Sequence, residues 1–286
     1  MNLVRALVIV PYFVLATLPL GWLAITSFKT YDDTISTHAK FVPWTSPGDR
    51  TSPKFEATTA AYRSLSKPVA GTPRDFYHYL GNSALIGLLS TLAAVSLGTL
   101  CAYGFSRFDL PGSKEWLFFI LSTRFLPPLA VVVPVVVMYR WFALENTHLG
   151  LILLYTSFNL SLAVWLMKGF IEEIPRAFEE AALVDGYTRA QAFLRVIIPQ
   201  ASTGMAVTAV FCLISAWNEF GFAMTLNNYD AKTVPVYFAG LQGNIEGVPW
   251  PQIAGGMVLF VAPIVLFTVL VRNHLLKGVT FGTIKQ

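Results

Sequence analysis

Six apolar stretches, at about residues 6–28, 82–105, 116–139, 149–169, 202–226 and 253–272, constrain this chain more than any other feature of its sequence. Each is long enough, at 1.5 Å per helical residue, to cross a hydrocarbon core about 30 Å thick. A bilayer core offers no water to the backbone, so such stretches must be helices that satisfy their own N–H and C=O groups. With 55% hydrophobic and 13% charged residues over 286 positions, the chain is too apolar for a water-soluble domain of its size. The expected fold is an all-α membrane protein with six transmembrane helices, read as a single transmembrane domain over 1–286. Arg5 precedes the first stretch as it would in a secretory signal, but no small-residue cleavage site follows before Phe28, so the stretch reads as a retained anchor helix.

Residues 29–80 turn polar and hold Pro43, Pro47, Pro53, Pro68 and Pro73, the composition of an extramembrane loop, with a short helix expected around Ala57–Ser66. Six spans put both termini on one side. With the termini inside, Arg5, Arg107, Lys114, Lys168, Arg176, Arg189, Arg195, Arg272, Lys277 and Lys285 are cytoplasmic, and the short loops opposite hold only Arg140 and Lys232. The long first loop carries six more basic residues, but long loops translocate largely regardless of charge. Loop 29–80 is therefore expected in the periplasm, with 170–200 and 273–286 in the cytoplasm. Pro127, Pro128, Pro134, Gly204 and Pro263 predict bent spans, and Ala93, Ala94, Gly98, Gly255 and Gly256 allow close helix contact. Cys101 and Cys212 lie in apolar stretches and imply no disulfide.

Between the fourth and fifth stretches lies a polar island, residues 172–199. Pro175 can open a helix, Ile174, Phe178, Ala181 and Ala182 fall on one face, and four glutamates crowd its first half, where the helix dipole favours them. Gly186 ends it. Thr188 and Gln191 form a capping box for a second short helix, with Phe193, Val196 and Ile197 on one side and Pro199 as its close. The order Glu180-Ala181-Ala182, Gly186, Val196, Ile198, Pro199 resembles the EAA loop of binding-protein-dependent ABC importer permeases. That resemblance implies a cytoplasmic coupling-helix loop whose first helix docks in a groove of an ATPase subunit, with Glu180, Ala181, Ala182, Asp185, Gly186 and Pro199 as its coupling residues. An ordinary amphipathic helix pair on the membrane surface is the plain alternative.

No Walker-type GxxxxGK[ST], HExxH or G-x-S-x-G motif is present, so no catalytic or metal-ligating residue is assigned and any ATP and Mg would sit on a partner. Charged residues within spans are costly and need a reason. Arg124, in the third stretch, reads either as a snorkelling or paired cation or as part of a transport path. Glu219, in the fifth, lies roughly 12 Å nearer the outside by helix rise and is not an obvious partner for it. Asn218 and Glu219 together face a cavity or the bundle interior, as a contact to solute or as a brace between helices. Asn159, Gln242 and Asn244 are weaker path candidates.

The likeness continues outside the island and is similar to the carbohydrate-importer, MalG-like branch of the family. Ser106-Arg107-Phe108 before Pro111-Gly112 resembles its loop after the second span, and Asn146-Thr147 with Leu149-Gly150-Leu151-Ile152-Leu153 resembles the start of its fourth. The ending Lys277-Gly278-Val279-Thr280-Phe281-Gly282-Thr283-Ile284-Lys285 resembles its tail. The resemblance implies the type I ABC importer permease fold in a bacterial inner membrane, and an ATPase-contacting tail at Thr280, Gly282 and Lys285. It implies as partners a second permease subunit, two ABC ATPase copies, a periplasmic or extracellular solute-binding protein, membrane lipid and a sugar, with no nucleic acid. The first loop is longer and richer in proline than the family pattern. The rival from another class is an ion-coupled secondary transporter, which needs intramembrane ionisable groups and usually internal repeats. Only Arg124 and Glu219 would serve, and no repeat stands out.

Overall fold

The computed structural model describes residues 3–44, 53–68, 73–227, 229–241 and 247–281. Contacts divide the chain into two units, one of residues 1–80 and 234–263, the other of 81–233 and 264–286. In the first unit, α1 (Leu3–Thr26) is followed by α2 (Tyr31–Thr34), β1 (Val42–Trp44), β2 (Lys54–Glu56) and α3 (Ala60–Ser64). The two strands pair in parallel, with Val42 opposite Lys54. The short helix expected in this loop is α3, and the strand pair carries no periodic signal that would have announced it. The unit also takes in α12 (Val234–Leu241) and the start of α13 (Trp250–Phe281), and its interior is aromatic: Phe76, Tyr79, Tyr237 and Phe238 are buried against one another. Gly256 lies where an added Cβ would stand 2.9 Å from the Phe238 ring, so a small residue is needed there.

The second unit is built on α4 (Phe76–Arg107, mostly in this unit), α7 (His148–Glu172) and α10 (Ile198–Trp217), with α5 (Ser113–Ser122), α6 (Pro128–Trp141), α8 (Arg176–Val184), α9 (Arg189–Ala192) and α11 (Gly221–Leu226). The helix α7 is its centre, packed by α10, α5 and α11. A Cβ on Gly98 of α4 would lie 2.5 Å from that of Ala163 on α7, the close approach expected of small residues in a membrane helix pair. Among the described residues five helices are long and apolar enough to span, and six if the bent pair α5–α6 counts as one.

Two stretches depart from uniform spans. The third is interrupted: a 3₁₀ turn, Thr123–Phe125, leads into extended Leu126 (ψ 122°) and Pro127 (ψ 124°), and α6 starts at Pro128. Each residue before a proline is pushed out of the helical region, so the Pro127-Pro128 pair breaks the helix where one proline would have bent it. The fifth begins earlier and stops sooner than its apolar stretch. Helix runs from Arg189 and ends at Trp217, because Asn218 and Glu219 turn their side chains to backbone groups there. Pro199 does not close a helix. A π turn, Phe193–Ile197, in which Ile198 N–H donates to Phe193 O, carries the chain from α9 into α10 and accommodates the missing proline N–H.

Candidate functional site

The segment 172–199 is folded by local chemistry. Helix α8 ends in a Schellman turn: Tyr187 N–H donates to Ala182 O (3.0 Å) and Gly186 N–H to Leu183 O (3.1 Å), with Gly186 at φ +88°. A left-handed residue is required there and glycine adopts it without penalty. The capping box is present, Thr188 Oγ1 accepting from Gln191 N–H and Gln191 Oε1 from Thr188 N–H. Below it, Ala102 and Tyr103 of α4, Met167 and Ile171 of α7, and Ile174, Phe193, Ile197 and Ala201 form one buried cluster.

The residues that spacing groups on one face of α8 do not share one environment. Ile174 and Ala182 are buried, but Phe178 and Ala181 point out, and the inner face holds Glu179. That carboxylate, 4% exposed, stands 3.1 Å from Arg107 Nε and accepts from the Tyr103 hydroxyl at 2.5 Å. Arg107 also donates to Ile174 O (2.8 Å) and Ile171 O (3.2 Å), and Arg176 donates to Ser106 O (3.0 Å). The physical reason is that a buried carboxylate finds a buried guanidinium only in three dimensions; its apolar neighbours then become free to face outward. Phe178 and Val184 are 53% and 87% exposed, with Glu180, Asp185 and Gly186 on the same open surface. Sequence reasoning missed Glu179, Arg107, Tyr103 and Arg176 as a set. Arg107 had been singled out within a family loop and as an inside charge, and nothing local linked it to Glu179, 72 positions later.

The path candidates converge in part. A cavity of about 200 Å³ is lined by Arg124, Asn159, Ser215 and Glu219 together with Tyr155, Phe158 and Phe222. Helix-rise arithmetic separated Arg124 from Glu219. The break at Pro127 and the turn after Trp217 bring both to the same cavity, because neither residue lies on a straight helix. Glu219 is a brace: it accepts from Tyr155 OH (2.6 Å), Phe222 N–H (2.8 Å) and Ala223 N–H (3.1 Å), capping α11 and tying it to α7. Asn159 is buried, donates to Cys212 O at 3.3 Å, and its Oδ1 has no partner among the described residues. Asn218 does not line the cavity and donates instead to Ile214 O (2.9 Å). Gln242, Asn244, Gly282 and Lys285 lie outside the described residues, as does the side chain of Thr280, whose backbone is in α13.

Comparison with known proteins agrees with this architecture. The trehalose transport system permease SugB of Mycobacterium tuberculosis is 35% identical over 73% of this chain and 77% of its own length. The trehalose/maltose transport system permease MalG of Thermococcus litoralis is 30% identical over 81% of this chain and 83% of its own. A chain in the crystal structure of a bacterial ABC transporter involved in the import of the acidic polysaccharide alginate superposes with a TM-score of 0.72 over 95% of both chains at 20% identity, a likeness of fold. Residues 94–280 match the model of the binding-protein-dependent transport system inner membrane component, and the chain belongs to that family of ABC importer permeases.

Proposed function

We propose that this permease is half of the transmembrane path of an ATP-driven importer of a sugar or sugar derivative, and that α8 is the handle by which a partner ATPase moves it. The observation that carries the reading is the two-sided character of α8: Glu179 is locked inside to Arg107 and Tyr103 while Phe178 and Val184 stand outside. A helix fixed on one face and apolar on the other transmits a push rather than absorbing it. In this reading 170–200 and both termini are cytoplasmic, ATP and Mg belong to two ATPase copies, and a second permease chain completes the path. A solute-binding protein on the other side delivers the cargo. Closure of the ATPases shifts α8, and with it α4 and α7 through the buried cluster, so that the cavity between α7 and α10 alternates in access. Glu180, Asp185 and Gly186 belong to the gripped surface, and the tail at Thr280, Gly282 and Lys285 is a second contact with the ATPase.

The sugar assignment is supported by the trehalose and trehalose/maltose transport named for two relatives. The cavity suits such a cargo, with Phe158 and Phe222 as apolar surfaces and Arg124, Asn159 and Ser215 as hydrogen-bonding groups. The three donors on Glu219 argue against its use as a proton or ion carrier in a secondary transporter. The test is to purify the chain with the products of neighbouring genes, reconstitute it and measure ATP-dependent uptake of labelled disaccharides. Absence of any associated ATPase, or uptake driven by an ion gradient alone, would sink the reading.

A further inference from the structure

A second cavity, about 350 Å³, lies in the first unit where α1 ends, and it is unlike the path cavity in its chemistry. It is lined by Trp22 and Thr26 of α1, by Lys29, Asp33 and Lys40 of the segment that follows, and by Trp250. Two lysines are almost fully buried there, Lys29 at 2% and Lys40 at 4% exposure, against one carboxylate. Asp33 is already committed: Oδ1 takes the Lys40 ammonium at 2.5 Å, and Oδ2 accepts from Thr30 Oγ1 (2.9 Å) and Glu56 N–H (3.2 Å).

Lys29 is left over. Its ammonium sits 3.9 Å from the centre of the Trp22 ring and 5.5 Å from that of Phe55, and among the described residues it forms no ion pair. Aromatic faces offset part of the cost of burying a cation, but they provide no acceptor for its three N–H groups. A buried charge without a counterion is costly, and here the excess is positive. Burial holds the Lys29 pKa below the usual lysine value, with Asp33 opposing the shift and Lys40 adding to it. Thr26 Oγ1 lines the same cavity, buried and without a hydrogen-bond partner among the described residues. The end of α1 is not what Lys29 serves as a cap, since Ser27, Phe28 and Lys29 N–H already bond Leu23, Ile25 and Thr26 O.

We propose that this cavity is a binding site for a phosphate oxyanion, taken between Lys29 Nζ and Thr26 Oγ1 with Trp22 and Trp250 flanking its substituents. A tryptophan-flanked cation at the end of a spanning helix lies at the level where phospholipid phosphates lie. The same chemistry would take a soluble phosphate, and the two sources are separable by experiment. The full-length chain is purified in detergent, native mass spectrometry counts retained phosphatidylglycerol against phosphatidylcholine, and inorganic phosphate is titrated against tryptophan fluorescence. Lys29→Gln is expected to weaken the preferred ligand about tenfold, and Thr26→Val, which keeps the shape and the charge, about fivefold. Retention of phosphatidylglycerol that both variants reduce supports the site with a lipid source. Saturable phosphate quenching that both reduce, with the two lipids retained alike, supports it with a soluble source. Lipid retention and phosphate response unchanged in Thr26→Val would overturn the proposal, even if Lys29→Gln fails to fold.

Discussion

The segment around α8 and the cavity beside α7 each contain a glutamate and an arginine, and the two regions use them in opposite ways. Under α8, Glu179 and Arg107 are paired with side chains only 6% and 5% exposed. At the cavity, Glu219 spends its oxygens on Tyr155 and two backbone N–H groups, and Arg124 forms no ion pair among the described residues. One arrangement fixes a helix; the other leaves a cation at the edge of a space. In the proposed function a lever has to be rigid whereas a path has to exchange its contacts as cargo moves, and the same residue types would serve both needs because their partners differ.

That contrast is broken most severely at Arg107. Replacing it with Met strands the Glu179 carboxylate in a buried site, with an expected loss of about 3–5 kcal/mol, read as a large fall in the unfolding midpoint of the purified protein. The double variant Arg107→Met, Glu179→Met is expected to recover most of that stability, because no unpaired charge remains. Failure to recover it would mean that the pair also orders the segment. Next in size is Glu219→Ala, which removes the cap of α11 and the bond to Tyr155 and should cost about 1–2 kcal/mol in the same assay. Gly186→Ala meets no steric obstacle but must hold φ +88°, so about 1 kcal/mol is expected, together with ATP hydrolysis that no longer drives uptake at the wild-type rate.

Arg124→Met sharpens the other side of the comparison. A cavity cation without a protein partner should change the unfolding midpoint by less than about 0.5 kcal/mol while raising the half-saturating sugar concentration several-fold. A large stability loss with unchanged transport would reverse the assignment. A pH-dependent effect is expected outside both regions. Burial alone would raise the Asp33 pKa, but Lys40, Thr30 and Glu56 N–H together hold it below the usual value. A folded-state pKa below the unfolded value of about 3.9 means the contribution is complete above that pH and is lost as pH falls through the folded-state value. The stability difference between wild type and Asp33→Asn should be constant from pH 7 to about 5 and shrink below about 4. Thermal unfolding across that range reads it directly.

Much of the molecule was legible in the residue order. The run of apolar stretches, the stop at Gly186, the Thr188–Gln191 capping box and the close contact at Gly98 are local or composition-driven, and the structure bears each of them out. Three features were not legible. Spacing groups Phe178 with Ile174 and Ala182, but Glu179 is the residue buried beside them, because the buried cation Arg107 meets it there. The third stretch was read as bent and is interrupted, since two adjacent prolines force two successive residues into extended backbone. Arg124 and Glu219 were kept apart by counting helix rise through segments that are not helical.

The sequence by itself determined that this is a multi-pass membrane chain of the importer-permease family, because hydropathy, helix stops and the spacing around Glu180 are properties of neighbouring residues. Only the tertiary structure decided that Glu179 is the anchor and Glu180 lies outside, and which polar side chains share a cavity. Those outcomes depend on partners 60 to 80 positions away, and an ion pair or a cavity wall is fixed by where helices meet, a quantity that no local periodicity contains.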